Sequence, residues 1–458
     1  MGKLYLGTQA VTPAIYSGTI PGELLDPAQV YHDTRPSDWL PMPTPENNEI
    51  YLLVEVPKPM QEKDPGVPLA FSCTTSAGQY RVELGTVTNG EFVADSTYTT
   101  LVNSNTSYGE YLYYADWTAN PMDDGTHQVM AKISVVSGDI GGFTHVTTIK
   151  SGVYANKHTL EARGHCERTS RYTFGSTSSG SRSAVSMKFC SLEGPNAISS
   201  YFYEMFAGCS SLITIPALNT SSGTTFNNMF QNCYSLIAIP SLDTSSATNF
   251  LNMFNNCSSL TAIPTLDTSS GTSFLNMFNG CSSLTTIPAL NTSSGTNFSG
   301  MFASCYSLTT IPALDTSSGT SFQDMFSNCS SLMYVNFVGY DFTGITNGSY
   351  RPSTFAQGGG IMRIDNKFQM STGGFAGAVI NNPQGVSSTN PFYVLVEDES
   401  TMIPLGANAT VVFTTNSSVY VVVPDSMYDT YAADTRWATL HTRLKRRSEV
   451  TLPDWYTN

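Results

Sequence analysis

The sequence predicts a mainly β chain with short helices: an N-terminal β-sandwich, a solenoid of 24-residue rungs, and a small α+β C-terminal domain. Three observations carry that reading. The motif Phe-x-x-Met-Phe-x-x-Cys recurs at an unbroken spacing of 24 residues, with Met205, Met229, Met253, Met277, Met301 and Met325 and with Cys209, Cys233, Cys257, Cys281, Cys305 and Cys329. A fixed period of that length marks a solenoid, in which each copy packs only on its neighbours. Short alternating apolar runs broken by Gly, Asn and Asp lie on either side of the array, as strands and turns require. Charged residues make up only 12% of the 458, about half the usual share.

Taken in order, residues 1–45 are rich in Pro, Gly and Thr without period and read as an extended N-terminal arm. Residues 46–160 read as the β-sandwich, with strands at Glu49–Val56, Gln79–Leu84, Tyr111–Tyr114 and His127–Val135. Residues 161–188, which include the low-complexity run Gly175–Ser181, read as a linker or cap. Residues 189–345 are the solenoid. Residues 346–458 read as a strand–helix domain, with strands at Phe392–Val396, Thr410–Phe413 and Val419–Val423. Its helix is expected to start at Asp425 or Ser426, carry Met427, Tyr428, Tyr431, Trp437, Leu440 and Leu444, and end on Lys445-Arg446-Arg447, where cations complement the helix dipole.

One rung, Phe274 to Asn297, shows the logic. Phe274, Met277, Phe278 and Cys281 fall at i, i+3, i+4 and i+7, one face of a helical turn or two. Leu284, Ile287 and Leu290 form an apolar stretch interrupted by Pro288, and Asn291-Thr-Ser-Ser-Gly295 closes the rung as a turn. Helix, strand and turn in 24 residues is the pattern of a leucine-rich-repeat solenoid. The expected core is Phe226, Met229, Phe230, Cys233, Phe250, Met253, Phe254, Cys257, Phe274, Met277, Phe278, Cys281, Phe298, Met301, Phe302 and Cys305. The ladder cysteines read as reduced, buried small hydrophobes, because equivalent side chains on stacked rungs point in parallel rather than at each other. Ser269 and Ser270 read as plain surface.

The rungs resemble the BspA-type leucine-rich repeats of bacterial and phage surface proteins, in the variant MF-x-x-C-x-S-L-x-x-I-P-x-L-[DN]-T-S. That resemblance implies a right-handed solenoid with a parallel sheet on one face, serving adhesion or recognition. Ser37-Asp-Trp-Leu-Pro-Met-Pro-Thr-Pro45 with Asn48-Glu-Ile-Tyr-Leu-Leu53 is similar to the front of gut-phage tail proteins that join an Ig/PKD-like domain to these repeats. Val423-Pro-Asp425, Tyr431 and Trp437 resemble the VPD…Y…W ending common behind such repeats, read as a shield for the last rung.

Composition narrows function. The net charge is −14, and no basic residue occurs between Lys188 and Arg351, so the rungs offer nothing to neutralise phosphates and nucleic acid is not an expected partner. No run of 18 apolar residues occurs, so membrane insertion is not expected. The opening MGKLYLGTQAVTPAIYSG lacks the apolar core of a signal peptide, which suits a protein released by lysis better than one exported. His158, His165 and Cys166 are close in sequence without paired metal-ligand spacing, and Glu397-Asp-Glu399 and Asp123-Asp124 are turn-like acidic groups. Gly358-Gly-Gly360 lacks the Lys-Ser/Thr of a phosphate cradle. The expectation is therefore no enzyme, no metal and no cofactor.

What remains is binding by surface. The candidate contact residues are Tyr234, Thr285, Thr286, Tyr306, Thr309 and Thr310, neutral hydroxyls and rings on the rungs. The first reading is a bacteriophage virion protein, a tail fibre, tail tip or other exposed appendage. It would dock on other virion proteins through its N-terminal region, contact a host-surface glycan or protein through the solenoid, and form a homo-oligomer. The alternatives are a bacterial cell-surface adhesin and a capsid-decorating or head-fibre protein.

Overall fold

The computed structural model describes residues 4–6, 9–11, 24–56, 67–75, 78–112, 117, 120–145, 148–149, 153–154, 159–165, 172–174, 187–193, 202–215, 218–312, 314–338, 354–357, 360–365, 380–384, 386–403, 418–435, 437, 442–453 and 456. The expected strand Thr410–Phe413, the run Gly175–Ser181 and Cys166 lie outside these residues. Two units divide the chain, 1–247 with 253–266, and 248–252 with 267–458.

In the first unit, two sheets form the sandwich. The strands are β1 (Glu49–Val56), β2 (Val67–Thr75), β3 (Gln79–Thr88), β4 (Glu91–Asn103), β5 (Ser107–Leu112), β6 (His127–Val135), β7 (Ile140–His145), β8 (Thr159–His165) and β9 (Phe189–Glu193). One sheet runs β9-β8-β1-β6-β3-β4, and the other places Tyr172–Thr173 beside β7, then β2 and β5. Rings close the space between the sheets: Phe71 of β2 stacks on Tyr108 at 5.0 Å and meets Phe143 at 5.6 Å and Tyr80 of β3 at 6.1 Å. Alternation in β3 buries Tyr80, Val82 and Leu84 and exposes Gln79 and Arg81, the period-two signature of one covered face.

β1 breaks that alternation. Ile50 to Val54 are all buried, because the sheet's second face is covered as well. Its cover is the N-terminal segment, so the expectation of an extended arm through residue 45 is corrected. Asp26 caps a helix α1 (Pro27–Thr34), its side chain accepting from the Ala28 N–H at 3.0 Å with Pro27 in the first turn. Val30, Trp39 and Leu40 join Tyr51, Leu53, Met130, Leu160 and Phe189 in one core, together with Ile213 and Ile237 from the first two rungs. Arg35 fixes the segment: its Nε lies 2.8 Å from Glu161 Oε2, while Tyr31 donates to Glu161 Oε1 at 2.7 Å. Burial raises the Glu161 carboxyl, and Arg35 and Tyr31 oppose that rise.

The stretch expected as a linker from 161 is likewise corrected, since β8 lies inside the six-stranded sheet and pairs with β1 on one side and β9 on the other. The β8–β9 pair is parallel, and β9 continues by parallel bridges from Phe189 to Thr214 and from Thr214 to Ala238. The sheet thus turns into rungs by adding strands rather than through a hinge.

In the second unit the ladder also continues past the repeats. β10 (Tyr334–Asn336), β11 (Ile361–Ile364), β12 (Phe392–Val396), β13 (Val419–Val423) and β14 (Leu444–Arg446) form one sheet in that order, every pair parallel. Thr310 bridges Tyr334 in the same sense. A helix α2 occupies only Tyr428–Ala433, so the helix expected to run through Leu444 to the basic triplet is corrected: Leu444–Arg446 is a strand. Tyr431 and Trp437 are buried edge-to-face at 5.0 Å, Tyr431 Oη accepting from the Ile403 N–H and Trp437 Nε1 donating to the Ile403 carbonyl.

Candidate binding surface

Each rung opens with two tight turns rather than the helix its spacing suggests. The residue before every ladder methionine has positive φ (Glu204, Asn228, Asn252, Asn276, Gly300, Asp324), and so has the residue before every ladder cysteine (Gly208, Asn232, Asn256, Gly280, Ser304, Asn328). A right-handed helix cannot include such residues, whereas a turn with a left-handed third residue needs one, which is why Asn and Gly recur there. Backbone donors confirm the geometry. Met277 N–H closes onto the Phe274 carbonyl at 3.1 Å and Cys281 N–H onto Phe278 at 3.0 Å. The N–H groups of Phe274, Asn276, Phe278 and Gly280 point instead to the next rung, at 2.9, 2.9, 2.9 and 2.8 Å from Asn297, Ser299, Met301 and Ala303. One set of donors therefore shapes the rung and another stacks it.

The sixteen expected core side chains are fully buried. Phenylalanines stack in columns: Phe206–Phe230–Phe254 at 5.5 Å in the first unit, and Phe250–Phe274–Phe298–Phe322 at 5.6, 5.6 and 5.3 Å in the second. The ladder cysteines form no disulfides, and they do more than fill space. Cys233, Cys257, Cys305 and Cys329 donate their thiols to the carbonyls of Phe206, Phe230, Phe278 and Phe302 at 3.0 to 3.2 Å. Burial pushes the Cys233 and Cys305 thiols well up and the Cys329 thiol up to about 12.

Outside the core, the rung surface is hydroxyl and amide. Thr272, Thr296 and Thr320 are exposed, each Oγ1 donating to the carbonyl of the threonine one rung earlier at 3.0 to 3.1 Å. The turn ahead of them is held by Asp243, Asp267, Asn291 or Asp315, whose Oδ1 accepts from the N–H and hydroxyl two residues on. Only an acceptor oxygen is used, so Asp and Asn interchange freely. The hydroxyl of Ser269 lowers the Asp267 carboxyl. Ser269 is thus a turn residue whose carbonyl also accepts from Ser294 Oγ at 3.2 Å, which corrects the plain-surface reading.

Of the candidate contact residues, Tyr234 and Tyr306 stand out at 47% and 48% exposed, well above the half-buried serines at the same rung position, Ser258 and Ser282. Thr286, Thr309 and Thr310 are exposed, whereas Thr285 is half-buried with its Oγ1 enclosed and unpaired. Thr285 and Thr309 belong to the stacking backbone, Thr309 N–H reaching the Thr285 carbonyl at 3.4 Å. Parallel pairing here is thin, reduced to isolated bridges, because Pro240, Pro264, Pro288 and Pro312 each lack the next donor. Where Asn336 stands in that place, strand β10 forms. Tyr203, exposed at 40%, is a further ring on the first rung that within-rung comparison did not single out.

Elsewhere, a cleft of about 480 Å³ in the second unit is lined by Val396, Glu397, Glu399, Pro424, Asp425, Ser426, Arg447 and Ser448. Four of its polar residues are already engaged: Glu397 takes Arg447 at 3.4 Å and, from outside the lining, Arg363 Nε at 2.9 Å, and Asp425 takes the Ser448 N–H. Among the described residues, no group of three His, Cys, Asp or Glu side chains is arranged to hold a metal, and no helix is long and apolar enough to cross a membrane.

No curated protein and no solved structure matches the chain. Residues 200–282 and 261–350 match the family described as Mycoplasma protein of unknown function, DUF285, and this match together with the stacked coils is consistent with a repeat protein of the BspA type.

Proposed function

We propose that this chain is a non-enzymatic bacteriophage virion protein, carried on an exposed appendage such as a tail fibre or tail tip, whose rungs contact the host surface. The observation that supports contact through the rungs is a half-exposed ring in each unit, Tyr234 in the first and Tyr306 in the second, each on a rung surface of hydroxyls and amides that lacks any basic residue. A tyrosine ring offers a flat apolar face for a sugar ring, and the neighbouring hydroxyls supply both donors and acceptors. The sandwich, with its N-terminal segment, is the part assigned to other virion proteins.

The labelled full-length chain should bind host cells and compete with infection, with affinity that changes little from low to high salt, since no counterions are released. Tyr234→Ala with Tyr306→Ala should weaken binding at least tenfold without altering the unfolding midpoint. Unchanged binding by that double variant would remove the rings from the contact, and failure of the native chain to bind or compete would remove the attachment reading. A second reading, a bacterial cell-surface adhesin, is favoured by the matched family's being described from a bacterial genus. Mass spectrometry of purified particles against bacterial envelope fractions separates the two.

A further inference from the structure

Near-identical rungs create a hazard at the ends of their own ladder. Any rung can stack on any other, so a bare terminal edge is a head-to-tail surface on which copies would add without closure. In the first unit, the approach to the first rung is occupied by β9, itself paired to β8. In the second unit, β14 ends the sheet, and among the described residues no strand pairs with its outer side.

We propose that β14 is a built stop, in which Lys445, Arg446 and Arg447, with Glu449 folded onto the strand, keep a second copy of this chain from adding its own edge strand. The triplet is the only run of three basic residues in the sequence, and it follows a ladder with no basic residue between Lys188 and Arg351. β14 has three residues where β12 and β13 have five, so it gives a newcomer little to pair with. The Arg446 N–H is already taken by Glu449 Oε2 at 3.3 Å. The Arg446 guanidinium is held by Asp429 Oδ1 at 2.7 Å and the Asp425 carbonyl at 3.2 Å, and it lies 4.1 Å from the Tyr428 ring centre. Lys445 Nζ sits 5.7 Å from the Tyr420 ring centre. An incoming β14 would set its own cations opposite these and would have to expel a carboxylate first. Short, charged edges of this kind are how sheets avoid edge-to-edge growth.

The test is made on the full chain. Lys445→Thr with Arg446→Thr and Glu449→Ala should leave the circular dichroism spectrum unchanged but raise the weight-average mass in sedimentation toward twice the native value with concentration, since pairing of β14 on β14 closes at two copies, while the native chain holds a constant mass. Lys445→Glu with Arg446→Glu keeps a charged edge of opposite sign; alone it should match the native mass, but mixed with native protein it should associate, and salt should abolish that association. A folded neutral variant that keeps the native mass at every concentration overturns the proposal. So does a charge-reversed variant that ignores native protein, an arm that stands even if the neutral variant misfolds. A native chain whose own association is lost on substitution would make β14 a docking strand instead, and that also overturns it.

Discussion

Phe298 and Gly295 make the rung packing quantitatively testable. Phe298 is fully buried between Phe274 and Phe322, with ring centres 5.6 and 5.3 Å away. Phe298→Ala should cost about 3–5 kcal/mol for the emptied aromatic site, toward the upper end because two ring contacts go with it, each worth about 0.5–1.5 kcal/mol. Gly295 sits against the same ring. A Cβ there would lie 2.5 Å from Phe298 Cζ and 2.9 Å from Phe274 Cε2, so Gly295→Ala should cost about 1–3 kcal/mol as overpacking. Its φ is not left-handed, so the cost is one of space alone. The two sites therefore couple. In the double variant the new methyl enters the space left by Phe298, and the total should fall below the sum by about 0.5–2 kcal/mol, as touching sites do. Relief stays partial because Phe274 remains. Urea unfolding followed by circular dichroism measures all three variants. Additive losses, or a Phe298→Ala cost below about 1 kcal/mol, would refute the packing argument. Ala247 occupies the Gly295 position in another rung and is fully buried, so a cost above about 3 kcal/mol at Gly295 would equally contradict it.

Four further outcomes follow from the same structure. The raised thiols of Cys190, Cys233, Cys305 and Cys329 ionise first in the unfolded chain, so stability should be intact below about pH 8.5 and fall as pH rises toward about 12, where Cys329 titrates in the fold. Each thiol contributes roughly 1.4 kcal/mol per pH unit to that loss; Cys305→Ala should flatten the slope, and native labelling without denaturant below this window should be absent. Arg35→Ala strands Glu161, whose side chain is 4% exposed, and should cost about 3–5 kcal/mol in chemical unfolding. By the same contacts, deletion of residues 24–46 should expose the sandwich core to dye binding instead of leaving a folded remainder. Asp267→Asn should leave the thermal midpoint near native, since Asn291 fills the same slot, whereas Asp267→Ala should lower it.

Much of this fold was legible because repetition averages out local ambiguity. Six copies of one apolar pattern gave the period, the buried positions and the reduced cysteines. The pattern could not distinguish helix from paired turns, since i, i+3, i+4 and i+7 fit both; the distinguishing signal was the recurrent Asn or Gly before Met and before Cys, residues that tolerate positive φ. The N-terminal segment was misread because α1 buries only Val30 and Thr34, too few for a helical period, although Asp26-Pro27 is a legible helix start. The C-terminal strands were legible one at a time, but not their parallel order. That order depends on connections of irregular length, and no period survives in them.

The rungs' likeness to one another also limits where selectivity can reside. Thr272, Thr296 and Thr320 spend their hydroxyl protons on neighbouring carbonyls, so this row is first a stacking device and only secondarily a surface. The same holds for the Asp and Asn of the turns, whose Oδ1 atoms are taken within their own rung. A ligand that met only these columns would meet the same chemistry at every rung and could slide along them. Discrimination needs positions where rungs differ and side chains stay uncommitted. Tyr234 and Tyr306 meet the first condition by replacing serine, and their exposed ring faces meet the second, although the Tyr234 hydroxyl donates to Asn232 Oδ1 at 3.4 Å. A binding role for the array therefore depends on its departures from the repeat, while the repeat itself supplies a charge-poor support.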